Sequence, residues 1–300
     1  MSSPSTTSII RIPFSSDVGY PDYNYQEIAT ILSSSAQITR AINPDLHLIA
    51  FSRSCYIDVM DWRTQECFSM STQSEDLDEL WNGIVGVRFC EAYILCVKTR
   101  SVELYPLPPL PISSASSTSA PRIRPVTSRA FPNTTFRGVS ISHPQLRHDG
   151  SFPSWMVSFL AYDVLRGLFH YQVTIELPES GLPLLTVTLA GVHAMTSLVR
   201  SPSISALAAE ISGRNTGRGF VSACCLGPEG KRGVWIERTR GSTKRSVMVF
   251  SATTPLGAPI RETTLWENEL DPEGRFMVDG AEIDGRPVFE IGSYDLRGVS

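Results

Sequence analysis

Short apolar runs separated by polar turns occupy most of the chain from residue 36 onward. Residues 46–51 and 56–62 form one pair of such runs, and residues 84–97 with 102–107 repeat the order about 45 residues later. The runs are rich in β-branched and aromatic residues, and helical periodicity is scarce. The pattern therefore predicts antiparallel β-hairpins and an all-β chain.

Further units continue this series toward the C-terminal side. Residues 155–175 predict a third hairpin, residues 219–251 a fourth, three-stranded unit, and residues 276–291 a weaker fifth. A repeat of about 40–50 residues per antiparallel unit is typical of a β-propeller, in which each blade needs a neighbour to cover its apolar faces. We predict an irregular or incomplete β-propeller of about five to six meander blades.

Composition divides the chain into an arm and a domain. Residues 1–34 are rich in Ser, Thr and Tyr with one short apolar patch, so we expect a loosely ordered N-terminal arm. Residues 35–300 are expected to form the propeller-like domain. Within it, residues near 108–128 are rich in Pro and Ser and predict a surface loop inserted between blades.

Charge and hydropathy argue against two classes of partner. The formal net charge of −4 provides no global positive field that would attract nucleic acid or an anionic membrane. No stretch approaches the roughly 18 apolar residues of a membrane-spanning helix, and the first residues carry no basic or apolar signal. We expect an intracellular protein, cytoplasmic or nuclear, with neither nucleic acid nor membrane as a partner.

Little in the sequence predicts catalysis. The six cysteines form no C-x-x-C pair, and the five histidines are scattered, which argues against a metal site. Cys224 and Cys225 are adjacent, but neighbouring strand residues point to opposite faces, which disfavours a redox pair. The loops at 213–219 and 227–232 lack the spacing of phosphate-binding loops and are interpreted as interstrand turns. We expect no catalytic, metal or cofactor residues and infer no small-molecule substrate.

The predicted hairpin at residues 231–245 is the one local concentration of basic charge. Alternation places Val234 and Ile236 on one face and Trp235 and Glu237 on the other, so the hairpin brings an aromatic ring close to guanidinium groups, as in interface hot spots. The alternative is a solvated sheet edge, where Lys and Arg deter strand-to-strand aggregation. We predict that a protein partner contacts Arg232, Trp235, Arg238, Arg240, Lys244 and Arg245.

Residues 42–49, 93–108 and 226–238 resemble the C-terminal region of a large group of fungal F-box proteins, and the likeness spans most of residues 36–300. In that group an N-terminal F-box docks on the adaptor of a ubiquitin-ligase scaffold, and a propeller-like C-terminal region captures a target. Residues 1–35 contain no Leu-Pro-x-Glu helical segment of the F-box type. The resemblance therefore implies a target-recognition region without its docking element, and it carries no site residues.

These observations favour a non-enzymatic protein–protein interaction module. Two alternatives stay open. One is an enzyme of propeller or β-sandwich architecture, whose hydrolytic site converges from separate loops. The other is a truncated chain without independent function.

Overall fold

A computed structural model of the chain describes residues 5–11, 25–33, 37–53, 56–71, 82–109, 122–131, 134–148, 152–164, 166–178, 181–194, 219–239, 245–251, 261–268, 282–283 and 286–287. Every regular element within these ranges is a β-strand. In chain order they are β1 (Ser5–Arg11), β2 (Gln26–Ser33), β3 (Ile38–Asn43), β4 (Leu48–Arg53), β5 (Tyr56–Asp61), β6 (Cys67–Met70), β7 (Ile84–Cys90), β8 (Tyr93–Lys98), β9 (Ser101–Pro106), β10 (Arg122–Ile123), β11 (Thr127–Ala130), β12 (Gly138–Ile141), β13 (Gln145–Arg147), β14 (Ser154–Asp163), β15 (Gly167–Glu176), β16 (Leu184–Ala194), β17 (Gly219–Leu226), β18 (Arg232–Thr239), β19 (Arg245–Ser251), β20 (Arg261–Asn268), β21 (Glu282–Ile283) and β22 (Arg286–Pro287).

Four meander sheets form the described fold. Their strand orders are β10-β6-β5-β4-β3 in the first sheet, β11-β9-β8-β7 in the second, β12-β14-β15-β16 with β13 also on β14 in the third, and β17-β18-β19-β20 in the fourth. Pairing is antiparallel throughout, apart from the two-residue contact of β10 with β6. The prediction of an all-β fold built from antiparallel meander sheets is confirmed.

The chain separates into two compact units, residues 1–130 and 131–300, where the sequence predicted one continuous domain from residue 35. The first unit holds β1 to β11, and the second holds β12 to β22. In the first unit, one core joins the first and second sheets. Its buried side chains include Leu48, Val59 and Phe68 from the first sheet and Val87 and Ile94 from the second. Each sheet thus buries one face against its neighbour, as the blade interpretation requires.

A buried ion pair lies within this shared core. Lys98 ends β8 and Glu103 lies on β9, and their side chains are 1% and 6% exposed with 3.1 Å between Nζ and Oε1. The Tyr105 hydroxyl donates to the other oxygen of Glu103 at 2.5 Å. Two charged side chains are tolerated in this apolar core because they neutralise each other, and because the carboxylate also accepts a hydrogen bond.

Arg40 connects β3 and β7, which are end strands of the first and second sheets. From β3 its Nε donates to the Ser52 hydroxyl at 2.7 Å, and its terminal nitrogens donate to the carbonyls of Ile84 at 2.9 Å and Val85 at 3.4 Å. Burial lowers the pKa of this guanidinium. A single side chain therefore fixes β3 beside β7.

Two stretches of the N-terminal segment, β1 and β2, are ordered strands rather than parts of a loose arm. β1 and β2 pair as an antiparallel hairpin, and Ile9 and Ile31 are buried in one cluster with Ile49, Phe51 and Trp62. These partners lie on or beside the first sheet, on the face turned away from the second sheet. The alternation that buries Ile9 and Ile31 also leaves Ser, Thr and Glu exposed, and this polarity is what suggested disorder.

Aromatic rings fill one face of the third sheet in the second unit. Phe159 and Tyr171 are directly opposed across β14 and β15 and stack at 5.0 Å. Phe131 and Phe136 pack on them from the preceding segment at 5.0–6.0 Å. The opposite face of this sheet, with Leu160 and Leu168, packs against the fourth sheet.

Two other predicted features lie partly outside the described residues. The Pro/Ser-rich loop near 108–128 contains β10 and the start of β11, which edge the first and second sheets, while residues 110–121 are outside the described part. Of the weak fifth unit at 276–291, only the short pair β21 and β22 is described.

We expect Lys98→Met to lower the free energy of unfolding by about 3–5 kcal/mol, because it leaves the Glu103 carboxylate buried without its counter-charge. Replacing both residues, as Lys98→Met with Glu103→Leu, is expected to restore most of the loss. Urea unfolding of the three proteins measures the difference. A single variant as stable as the wild type contradicts this account of the core.

Candidate protein-interaction surface

The fourth sheet carries the described part of the predicted basic hairpin. Strand β18 lies between β17 and β19, so that Trp235 is opposite Cys224 on one side and Met248 on the other. Because strand residues alternate, Trp235 and Glu237 share one face, whereas Arg232, Val234, Ile236 and Arg238 share the other. These two faces have different surroundings.

The inner face, which carries Trp235, is buried against the third sheet. Trp235 is 1% exposed and clusters with Leu160, Leu168, Val221 and Leu226. Its indole Nε1 donates to Glu237 Oε1 at 2.7 Å. The sequence interpretation placed this ring beside the guanidinium groups at a partner contact, but in the structure Trp235 is a core residue. The reason is that the arginines of β18 occupy the opposite face.

The other face of the fourth sheet is only partly covered. Its central valine and isoleucine side chains are half-buried, and Ala223 and Cys225 on β17 are exposed. Cationic groups occupy both ends of this apolar strip. We call it the outer face, and it comprises Phe220, Ala223, Cys225, Arg232, Val234, Ile236, Arg238, Arg245, Val247 and Val249.

The two ends of the outer face hold their cations differently. At one end Arg238 lies opposite Phe220 and Arg245, and its guanidinium carbon is 5.4 Å from the Phe220 ring centroid, a cation–π distance. At the other end Arg232 is exposed. Next to it, Lys231 and Glu229 form an ion pair of 3.0 Å, which contributes little because both side chains are in water.

The turn before Arg232 is held by the third sheet. Within the turn, the Gly227 amide donates to the Arg232 carbonyl at 2.8 Å, which confirms the interstrand turn predicted at residues 227–232. Around it, the His143 amide donates to the Pro228 carbonyl at 2.8 Å, and Gln145 Nε2 donates to the Glu229 carbonyl at 3.2 Å. The position of Arg232 is therefore set by a neighbouring sheet as well as by its own.

Gly230 allows this close docking. Its φ of 73° lies in the left-handed region that glycine adopts without strain. A Cβ at this position would lie 2.6 Å from Ser158 Cβ and 2.7 Å from its hydroxyl. Any side chain here would force the turn away from β14.

His170 lies beneath the same turn. It is buried on β15, and burial lowers its pKa, partly opposed by a hydrogen bond with the Gly230 backbone. Its neutral form is therefore the one that suits the contact between the third sheet and the turn.

The two adjacent cysteines of β17 lie in different surroundings. Burial raises the pKa of the Cys224 thiol to about 12, while Cys225 on the opposite face is exposed. Among the described residues, no group of three or more His, Cys, Asp or Glu is arranged to hold a metal ion. None of these residues forms a helix long and apolar enough to cross a membrane.

Two of the predicted contact residues, Arg240 and Lys244, lie outside the described residues, as does most of the glycine-rich loop at 213–219. The structure brings Arg238 and Arg245 together and places Arg232 at the far end of the same face. Sequence reasoning had left out Val234, Ile236, Val247 and Val249 as contact candidates. Their alternation with Arg232 and Arg238 was the signal that could have identified them.

Trp235→Ala is expected to lower the free energy of unfolding by about 3–5 kcal/mol, because it empties a large buried site. Arg232→Ala, at an exposed position of the same strand, is expected to change it by no more than about 0.5 kcal/mol. Chemical unfolding measures both. Equal effects of the two substitutions would contradict the assignment of faces.

Acid is expected to destabilise the second unit through His170. The folded pKa is lowered, so the unfolded chain takes up a proton first as the pH falls below the ordinary histidine value of about 6.5. The stabilisation is complete above that value and is lost below it. His170→Gln should therefore lose less stability than the wild type between about pH 7.5 and about pH 5.5 in urea unfolding. Identical losses in the two proteins would exclude this role.

The chain is similar to solved structures, but the comparisons assign it to no protein family. No protein-family model matches the chain, and no curated protein matches it. The WD40 domain of SCAP from fission yeast is similar at 12% identity over 77% of this chain and 42% of that one, with a TM-score of 0.41. The complex of the fission yeast SREBP–SCAP binding domains is similar at 11% identity over 90% of this chain and 60% of that one, with a TM-score of 0.44.

A third similar structure is the WD40 domain of Pan2 from Neurospora crassa, at 12% identity over 72% of this chain and 62% of that one, with a TM-score of 0.29. The chain thus spans about half the length of the first two structures, 42% and 60%. Because all three TM-scores are below 0.5, the fold described above rests on the sheets and registers of the chain itself.

Proposed function

We propose that this chain is a non-enzymatic protein-interaction module, which binds its partner on the outer face of the fourth sheet. The observation that carries the proposal is the contrast between the two faces of that sheet. One face buries Trp235, Val221 and Leu226 in the core, whereas the other leaves an apolar strip partly exposed between arginines. A core sheet face without a complete cover is a natural site for another protein.

The chemistry of the outer face indicates what kind of partner fits. Burying the strip of Val234, Ile236, Val247 and Val249 provides the hydrophobic contribution to binding. Arginine at either end favours a partner with Asp or Glu on both sides of an apolar centre, because guanidinium and carboxylate form strong paired hydrogen bonds. Arginine is also among the residues that dominate interface energetics. The fitting partner is therefore an amphipathic protein segment with acidic flanks.

The narrower role that we propose is target recognition for a ubiquitin ligase. Its support is the resemblance of residues 42–49, 93–108 and 226–238 to the C-terminal region of fungal F-box proteins. The third of these stretches includes all of β18 except its last residue, and Arg232, Val234 and Ile236 lie on this strand. Under this proposal, the acidic segment belongs to the target protein, and binding to the ligase adaptor requires an element other than these strands.

Charge reversal at both ends of the outer face is expected to abolish partner capture. The variant Arg232→Glu with Arg238→Glu repels acidic flanks, and the matched control Arg11→Glu with Arg63→Glu makes the same change in net charge at exposed positions of the first unit. Affinity capture from the native cell, read by quantitative mass spectrometry, should show partners depleted at least about tenfold by the first variant only, a loss of about 1.4 kcal/mol.

Two checks complete that experiment. Thermal melts of both variants must match the wild type, and capture must weaken as salt is raised, because exposed charge pairs are screened. A set of captured proteins that is the same for both variants would overturn the proposal. Stable binding of the purified ligase adaptor by this chain alone would contradict the proposal that adaptor binding requires another element.

A further inference from the structure

The outermost strand of the third sheet has an unusual composition for a sheet edge. β16 runs for 11 residues, Leu184–Ala194, and pairs with β15 along one side, where the described sheet ends. Its sequence, LLTVTLAGVHA, contains no Lys, Arg, Asp, Glu or Pro. Sheet edges present backbone N–H and C=O groups toward solvent, and proteins normally protect them with charge, proline or short length.

Three other strands that end a described sheet follow that rule. β10 has 2 residues and β11 has 4, and each contains an arginine. β20 has 8 residues but includes Arg261, Glu262 and Glu267. Among the described strands that end a sheet, β16 is the longest, and the other two without charge, β17 and β12, have only 8 and 4 residues. One register shift opposite His170 and Tyr171 interrupts β16, but neither charge nor proline protects the rest of its edge. The combination of length and missing charge calls for a functional explanation.

Side chains along β16 are also accessible. Leu189 is 48% exposed and Val192 is 39% exposed, while Thr186 and Thr188 are exposed on the opposite side of the strand. Leu189 lies opposite Tyr171 and Val192 opposite Phe169, so both continue the aromatic face of the third sheet toward solvent. A further strand beside β16 would extend this apolar face.

We propose that the outer edge of β16, along residues 186–192, receives an extended segment of a partner protein as an added β-strand. Main-chain hydrogen bonds to β16 supply the affinity, and apolar side chains of the segment contact Leu189 and Val192. These two residues share a face because the pairing with β15 shifts register between Leu189 and Gly191. The segment is uncharged, because a charge placed beside this strand would lose water without meeting an opposite charge.

A second copy of this chain is a poorer occupant on grounds of area. A strand of 11 residues is about 36 Å long and a sheet about 10 Å thick, so edge-to-edge pairing of two copies buries on the order of 700 Å². Stable dimers bury roughly 1,200–2,000 Å². An extended segment added to the edge needs no such area, because strand addition is sustained by main-chain hydrogen bonds and suits transient capture.

This site is distinct from the outer face of the fourth sheet. β16 belongs to the third sheet, and none of the arginines at the outer face lies on it. The proposal therefore does not depend on the acidic partner described above. The variant Arg232→Glu with Arg238→Glu leaves β16 unchanged. An experiment can therefore disprove one of the two proposals without disproving the other.

The probe is a random peptide library displayed on phage, selected on the full chain. We expect the selected peptides to be uncharged and rich in alternating Val, Ile, Thr, Phe or Tyr. Synthetic copies are then measured by fluorescence polarisation against the wild type, Thr188→Lys and Thr186→Lys. The control is Thr6→Lys, which adds the same charge at an exposed position of β1. Each β16 variant is expected to weaken binding at least about tenfold, and the control is expected to have no effect.

Hydrogen–deuterium exchange locates the site without any substitution. Bound peptide is expected to slow exchange of amides in residues 186–192, and this readout decides the matter if a lysine variant melts early. Unchanged binding by both β16 variants, protection elsewhere in the chain, or failure to select such peptides overturns the proposal. So does concentration-dependent dimerisation that Thr188→Lys abolishes, because the occupant would then be a second copy.

Discussion

The packing of one sheet face on the next is the interaction on which the rest of this structure depends. A four-stranded meander cannot bury both of its faces alone, and its stability comes from a neighbour that covers at least one of them. Leu48, Phe68 and Ile94 meet in this way in the first unit, and Leu160 and Trp235 do so in the second. Within the first of these contacts, Lys98 and Glu103 form a buried ion pair.

The same constraint shows where binding surfaces arise. A sheet whose second face lacks a complete neighbour must cover it with another element or leave it partly exposed. In the first sheet the β1–β2 hairpin provides that cover through Ile9 and Ile31. In the fourth sheet the outer face stays partly exposed, with arginines at its ends. Gly230 and His170 hold the adjacent turn, so that this face is presented on a fixed framework rather than on a loose edge.

Much of the fold could be predicted from the sequence because strands and turns have local signals. Three strands of the fourth sheet, β17 to β19, and the turn at 227–230 were placed correctly, since apolar alternation and Gly-Pro punctuation are properties of neighbouring residues. The fourth strand, β20, was not predicted. The side of β18 that is buried could not be predicted in this way. Alternation separates Trp235 from Val234, but only the third sheet decides which of them enters the core.

Long-range contacts explain the other differences. Ile9 and Ile31 have too little apolar sequence around them to indicate order, and they are ordered because Phe51 and Trp62 cover them. Arg40 carries no local sign that it will bind the carbonyls of a strand more than forty residues away. The edge position of β16 likewise depends on the order of strands in the sheet, which the sequence does not specify.

Thiol labelling of Cys224 and Cys225 tests most directly whether the two faces of the fourth sheet differ. These neighbours report on opposite faces, and burial has raised the pKa of Cys224 to about 12. Iodoacetamide treatment of the native chain, followed by fragmentation of the peptide that contains both, measures each rate separately. The account predicts rapid labelling of Cys225 and labelling of Cys224 only on unfolding. Comparable rates at the two positions, or a Cys225 that does not react, would contradict it.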